Sequence, residues 1–436
     1  MSHLFNLREL AATGAREADR LRSRRSGAGM FGRRNVGSYG RQLFLASKIW
    51  RYAARPRLER FYWNILKPIF ALVLILWYTP RYASTLRRDF GIGLREQIVQ
   101  QCRLGFRDWV NPRCYYFHEH YLRPGPVDCS GYVMRHECKE GLMKVLHKLR
   151  PRIARKRIHL GHKNNFAQAC VRFGLPAVPV IGIATRGKIR IIDRTALTGD
   201  LFVKPEIGRG AVGAKAFRRC ADGTFARNGR KLPLAALLAR VARNSWLVPQ
   251  ILQPMLRNHP GLADLAEQSL ITIRVITCMD AAGQPVITHA MLRTLSKLEP
   301  TWPGHDEYAA PIGLDSGRMG LLCGDTAIGP RDWLEHHPMT GAPVLGRVVP
   351  QWSAIRALAL AAHHAFGDRM LIGWDIAMTP EGPILIEANS YPDTEFLQRV
   401  HRQSIGDSPL GPLLAYQLQR VVEVHGGRRV GFSDAP

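Results

Sequence analysis

Leu371 to Asn389 reads LIGWDIAMTPEGPILIEAN. Two apolar runs of strand length flank Thr379, Pro380, Glu381 and Gly382, residue types that turn a chain. Asp375 closes the first run and Glu387 the second. Alternate residues of an extended strand share a face, so Glu387 and Asn389 point the same way. If the two strands pair through the turn, Asp375 comes opposite them. Three oxygen ligands then converge, an arrangement that suits a hard cation such as Mg²⁺ arriving with nucleotide phosphates. A surface hairpin with ordinary acidic residues satisfies the same pattern, so the neighbouring stretches decide.

Immediately upstream, Trp352 to Phe366 has the apolar spacing of an amphipathic helix. Leu270 to Cys278 (LITIRVITC) alternates as a strand and places Thr272, Arg274 and Ile276 on one face. Val286 to Arg293 (VITHAMLR) repeats the arrangement with Arg293 at its end. An arginine on an apolar strand face is costly unless it is paired or binds an anion, and both readings fit these two. Trp246 to Leu256 is an apolar strand and connector. Leu201 to Pro205 is a short strand ending at Lys204, followed by a loop with Gly208, Gly210 and Gly213. Such a loop can bring backbone N–H groups close to phosphate oxygens, with the lysine as a point charge. It lacks the GxxxxGK[ST] pattern of a P-loop, and many glycine-rich loops are only turns. His162 to Phe173 reads as a helix, and Val178 to Ala184 and Ile189 to Ile192 as strands. A regular α/β alternation therefore begins at about Ile158.

The N-terminal third differs in composition. The chain of 436 residues has a formal net charge of +28, and residues 1–160 contribute 32 Lys/Arg against 11 Asp/Glu. Met1 to Arg60 is Arg-rich with few apolar periods and has no apolar core of a secretion signal. Phe61 to Tyr78 (FYWNILKPIFALVLILWY) is the most apolar stretch, interrupted by Lys67 and Pro68. Its unbroken run from Ile69 to Tyr78 is short of the ~20 residues that span a bilayer. Aromatic residues at both ends and arginines on either side fit an anchor on an anionic membrane surface. A helix buried under the following domain is the alternative, and a true membrane span is a third reading. Glu140 to Leu149 has helical spacing ahead of the basic run Arg152 to Arg157. Eight scattered cysteines without a CxxC pair read as reduced and intracellular. His118-Glu119-His120 lacks zinc-site spacing and reads as solvated loop.

In order, the pieces are a lysine on a helix, a strand lysine, a Gly-rich loop, a linker strand, strand arginines, Asp, then Glu-x-Asn. This order resembles the sugar-transfer-associated branch of the ATP-grasp superfamily, which is similar to the α-L-glutamate ligases. His162-Lys163 to Pro176 resembles the segment bearing the first phosphate lysine. Phe202 to Pro205 with Gly208 to Gly213 resembles the second lysine and its flap. Gln253 to Pro260 resembles the hinge, Thr272 to Val275 the strand arginine, and Gly346 to Trp352 with His363 the segment before the metal motifs. Gly373-Trp374-Asp375 and Ile386 to Asn389 match the metal motifs themselves. The resemblance covers roughly residues 110–410.

It implies an α+β protein with the ATP-grasp fold, two α/β sub-domains sandwiching the nucleotide, behind a basic, mainly helical N-terminal extension. The expected divisions are 1–60 (basic), 61–109 (apolar and basic), 110–410 (catalytic) and 411–436 (C-terminal helix and tail). The implied activity is ATP-dependent ligation: a carboxylate becomes an acylphosphate, and an amine displaces the phosphate. Lys163 and Lys204 would hold ATP phosphates under the flap of Gly208, Gly210 and Gly213, with Gln250 and Gln253 nearest the adenine. Asp375, Glu387 and Asn389 would hold Mg²⁺, and Arg274 and Arg293 would stabilise the transferring group. Substrates would be a small-molecule, peptide or glycan-precursor carboxylate and an amine, handled in the cytoplasm or at the inner membrane face. A kinase or non-amide ligase would use the same ATP site. A basic membrane- or nucleic-acid-associated module without catalysis is the reading from another class, but no aromatic-interleaved nucleic-acid motif accompanies the basic excess.

Overall fold

The computed structural model describes residues 57–107, 111–122, 131–134, 160–208, 212–266, 269–295, 307–325, 333–367 and 369–425, with Cys138, Leu142 and Leu146. Gly210, the basic run 152–157, most of 140–149 and nearly all of the first sixty residues lie outside these.

Arg57–Phe90 is one helix, α1, which continues through Pro68 and Pro80. Each proline removes a backbone hydrogen bond, but neither ends the helix, so Lys67-Pro68 interrupts the apolar run without breaking the helix. Helices α2 (Leu94–Cys102) and α3 (Arg113–Phe117) join its C-terminal half around Leu86, Leu104, Tyr115, Tyr116 and Tyr121. Within this cluster Gln101 donates to Thr79 Oγ1 (2.9 Å) and to the Tyr116 hydroxyl (3.1 Å).

His118, Glu119 and His120 are buried, which corrects the expectation of a solvated loop. Glu119 accepts a hydrogen bond from Trp333 Nε1 (2.6 Å) and pairs with Arg402 (3.0 Å). A charge can be buried when its partner arrives from elsewhere in the chain, and spacing within HEH carries no trace of those partners.

Helix α4 (Lys163–Arg172) opens the α/β region. Then β1 (Gly182–Thr185), β2 (Lys188–Ile191), β3 (Leu201–Pro205), β4 (Lys215–Arg219), β5 (Phe225–Arg227), β6 (Arg230–Leu232), α5 (Leu234–Asn244) and β7 (Gln250–Pro254) follow. The strands form a seven-stranded sheet in the order β2-β1-β7-β3-β4-β5-β6. One face buries Leu201, Val203, Phe217 and Leu252 against Leu237 and Val241 of α5. Alternation turns Phe202 and Lys204 to the other face.

The second sheet begins with β8 (Thr272–Met279), β9 (Pro285–Leu295), β10 (Glu307–Pro311) and β11 (Cys323–Gly324). It is completed, after α6 (Trp352–Ala365), by β12 (Leu371–Thr379) and β13 (Gly382–Asn389), in the order β11-β10-β9-β8-β12-β13. Every residue of β12 is buried, because β8 and β13 flank it and layers cover both faces. On one face Ile273, Val275, Leu292 and Trp374 pack against Ile355 and Ala359 of α6, Phe366 just after it and Phe166 of α4. On the other, Ile276, Met291 and Leu371 meet α7 (Thr394–Val400) and α8 (Leu410–His425) through Phe396, Leu397 and Leu414. Pro380 and Glu381 form the tight turn between β12 and β13, where Gly382 takes φ +125°, a conformation that a Cβ would oppose.

Candidate active site

The β12–β13 hairpin pairs Asp375 with Glu387 and Gly373 with Asn389. Residues opposite each other on antiparallel strands share a face, so the three side chains meet as the sequence suggested. On the other edge of β12, Asp375 lies opposite Arg274 of β8, and Arg293 of β9 lies opposite Thr272. All five polar residues therefore occupy one patch of one sheet face.

Arg274 donates from Nε to Asp375 Oδ1 (2.7 Å) and from Nη2 to Oδ2 (2.7 Å), a bidentate fork. Arg293 Nη1 stands 3.6 Å from the same Oδ2. Arg293 also binds Glu307 through Nε. Asn389 turns its amide NH₂ toward both Asp375 Oδ2 and Glu387 Oε1, each at 3.4 Å. Both strand arginines are thus ion-paired, which is one of the two readings left open by the sequence.

The facing side comes from the first sheet and α4. Lys204 reaches across from β3, and Lys163 opens α4, both buried. Lys163 Nζ donates to the Gly208 carbonyl (3.1 Å), and its backbone N–H to the Glu206 carbonyl (3.2 Å). The start of the glycine loop is thereby tied to the start of α4. Gly213 holds φ +77°, with Pro205 close to where a Cβ would stand. Gly210 lies outside the described residues. Of the two hinge glutamines, Gln253 pairs with Phe202 and lies on the Lys204 face, donating to the Val178 carbonyl (3.1 Å). Gln250 pairs with Pro205 and Ala184, on the opposite face, and donates to the Val248 carbonyl (2.9 Å). His363 of α6 also stays behind the site, bonded to Thr277 Oγ1 (2.6 Å) beneath Trp374.

The charges perturb one another. Burial opposes ionisation of Asp375, yet Arg274 and Arg293 outweigh it and hold the carboxyl down at about 2. Burial and then the Asp375 carboxylate push Glu387 up, against Lys163 and Lys204. Burial lowers Lys204 to about 8 and lowers Lys163 too, with Glu387 acting against both shifts. Two buried lysines face two carboxylates, one pushed up and the other held down by their neighbours. Such an arrangement can take up an anion beside the lysines and a cation beside Glu387. Among the described residues no group of three or more His, Cys, Asp or Glu has metal-holding geometry. The oxygen-bearing side chains that the hairpin brings together are Asp375, Glu387 and Asn389, and Asp375 is engaged by Arg274.

Two site carboxylates escaped the sequence reading. Glu307, at the start of β10, holds Arg293. The signal available was indirect: an arginine on a strand face demands an acid, and EYAAP is a short strand-like run with one at its head. Asp325 follows β11, and its buried Oδ1 has no hydrogen-bond partner. Burial first and Glu307 second raise its carboxyl to about 7, against Arg113. A carboxyl whose folded pKa lies above its unfolded value stabilises when protonated and loses that contribution as pH rises through about 7. Asp325→Asn should thus raise the thermal midpoint relative to wild type by an amount that grows from pH 5 to pH 7 and then levels. Each kcal/mol is worth roughly 2–4 °C in a domain of this size. Parallel thermal melts of the two proteins across pH 5–9 check this, and a pH-independent difference would refute the shift.

The profile of the sugar-transfer associated ATP-grasp family matches residues 154–408, more than half of the chain. The chain belongs to the sugar-transfer associated ATP-grasp family. Membership makes it an ATP-grasp type enzyme, and the site accordingly lies between the second sheet on one side and the first sheet with α4 on the other. No curated protein matches by sequence. Similar solved structures include the VanG D-Ala:D-Ser ligase from Enterococcus faecalis, with 12% identity over 60% of this chain and 61% of that one, TM-score 0.36. The D-alanine–D-alanine ligase from Bacillus anthracis shows 14% identity over 62% and 70%, TM-score 0.36. An L-amino acid ligase from Bacillus licheniformis shows 10% over 60% and 48%, TM-score 0.35. The chain spans about three fifths of the length of the first of these. Similarity at this level says nothing about substrate.

Proposed function

We propose that this ATP-grasp protein is a cytoplasmic ligase that activates a carboxylate with ATP and passes the acyl group to an amine. The observation that carries the reading is the convergence of buried Lys163 and Lys204 from one side on Asp375 and Glu387 from the other. A carboxylate oxygen of the substrate attacks the γ-phosphorus and ADP leaves. The amine nitrogen then attacks the acyl carbon, phosphate leaves and the nitrogen gives up a proton. Chemistry of this kind needs positioning and charge neutralisation more than a protein nucleophile.

In this proposal Lys163 and Lys204 hold phosphate oxygens, and the loop carrying Gly208, Gly210 and Gly213 closes over them to exclude water. For that, Lys163 exchanges its bond to the Gly208 carbonyl for one to phosphate. Gln253, on the Lys204 face, is better placed toward the nucleotide than Gln250. Arg274 fixes Asp375, and Arg293, steered by Glu307, presents positive charge toward the transferring phosphoryl group. Mg²⁺ would be held by Glu387 and Asn389 with Asp375, and would neutralise phosphate charge. Cys102, Cys170, Cys220 and Cys278 are free thiols, which suits a reducing compartment. The substrates belong to the class of small-molecule, peptide or glycan-precursor acids and amines.

A screen for ADP release over carboxylate and amine pairs tests the reading. ADP release that requires both partners, with an amide in the products, is the expected result. ADP release that needs the acid and ignores every amine would assign a kinase instead.

A further inference from the structure

The apolar stretch of α1 has no part in the site above. Successive helical residues turn by about 100°, so positions 69, 70, 72, 73, 76 and 77 fall on one stripe. Ile69, Phe70, Leu72, Val73, Leu76 and Trp77 are all exposed, Leu76 by 73%. The opposite stripe is the one that packs: Ala71, Ile75, Thr79 and Leu86 are buried. The outward stripe changes character toward its C-terminal end, where Arg81, Arg87 and Arg88 take the positions that apolar residues hold earlier. At 1.5 Å per residue the apolar part is about 12 Å long and the basic part about 10 Å.

A lone exposed apolar side chain is ordinary, but six contiguous ones call for a partner. Charge defines which partner. Between Phe61 and Arg88 the sequence holds no acidic residue, while Arg57, Arg60 and Lys67 precede the apolar stretch. The one acid at the far end, Asp89, binds Arg88 (2.7 Å) and leaves Arg81 and Arg87 uncompensated by it. The Arg81 guanidinium lies 3.9 Å from the centre of the Trp77 ring, joining the apolar and basic halves of the stripe. Aromatic rings beside cations, with apolar side chains between cationic ends, match the depth profile of a bilayer boundary.

We propose that this stripe of α1 docks the protein on an anionic phospholipid surface. Ile69 to Trp77 enter the outer acyl layer while Arg81, Arg87 and Arg88 stay at phosphate level. The helix lies along the surface, with the apolar stripe entering the headgroup–acyl boundary by about 5–10 Å and the arginines of its C-terminal end at the phosphates. Anchoring from this side leaves the C-terminal half of α1 bound to the tyrosine cluster, so docking needs no rearrangement of the fold.

Sedimentation of the full chain with vesicles of phosphatidylcholine, alone or mixed with phosphatidylglycerol, tests this. Binding should require phosphatidylglycerol and weaken sharply between 0.05 and 0.5 M salt, as the Debye length shrinks. Leu72→Asn with Leu76→Asn should lower partitioning at least tenfold, since each leucine gives up its transfer from water. Arg81→Gln with Arg87→Gln should lower it on the order of 25-fold, about fivefold per charge. The arginine pair keeps the test decisive if the leucine pair does not fold, and an unchanged circular dichroism spectrum certifies each variant. Wild-type binding retained by either folded pair would overturn the proposal. So would failure of the full chain to bind, the result expected if residues 1–56 cover the stripe. A dimer in solution that the leucine pair turns into a monomer would assign the stripe to a second copy and likewise overturn it.

Discussion

Lys204→Met should weaken ATP binding roughly 10- to 150-fold while the protein stays folded, the loss of one charge-assisted contact worth ~1.5–3 kcal/mol. Lys204 is buried on the site face of β3, and among the described residues no carboxylate pairs with it as Asp375 pairs with Arg274. Burial has already brought its ammonium down to about 8, so the charge is costly to keep, and under the proposed function an arriving phosphate would compensate it. Replacing it with methionine removes that cost, and stability should not fall. The same lowered value predicts that wild-type affinity declines as pH rises above about 8, and that the methionine variant, left with Lys163 alone, declines less over that range. Lys188→Met, at an exposed position on the outermost strand β2, is the control and should change affinity by less than about threefold. Nucleotide titrations of the three proteins at pH 7 and pH 9 decide the matter. Equal small effects at both lysines would reduce the glycine loop to an ordinary turn and remove the main support for the ATP site.

The second large effect separates two carboxylates that look equivalent in sequence. Glu387→Gln and Asp375→Asn should each abolish ADP release, since each takes an oxygen donor from the cation side of the site. Their stabilities should diverge. Glu387 is pushed up by burial and by Asp375, so neutralising it relieves repulsion, and the thermal midpoint should hold or rise. Asp375 is the bidentate partner of Arg274, and its neutralisation leaves a buried guanidinium without its counter-charge. Breaking a buried pair from one side costs ~3–5 kcal/mol, so Asp375→Asn should melt well below wild type. Thermal unfolding beside an ADP assay reads both. Near-wild-type turnover in Glu387→Gln would sink the site assignment, and equal stability of the two variants would show that Arg274 does not depend on Asp375.

The contrast between these two residues shows where sequence information ends. The strand alternation over Leu270–Cys278 and Val286–Arg293 was legible, because period-two burial is a local pattern that one covered face imposes. The hairpin turn at Pro380-Glu381-Gly382 and the helix before it were equally legible, since turn chemistry and amphipathic spacing act over a few residues. Sequence determined which residues carry charge on otherwise apolar strands: Lys204, Arg274, Arg293, Asp375 and Glu387.

Tertiary structure alone decided what each charge meets. Register placed Asp375 between Arg274 and Glu387, and so made one acid strong and the other weak. Register also turned Gln250 away from the face that holds Gln253 and Lys204. Glu307 and Asp325 joined the site from segments with no motif, and Trp333 and Arg402 reached Glu119 from over 200 residues away in the chain. Only packing showed which side of α1 is covered, leaving Ile69 to Trp77 outward. The physical reason is common to all of these. Backbone periodicity is set by neighbours a few residues apart, whereas the state of a buried charge is set by groups that pairing and packing bring from distant parts of the chain.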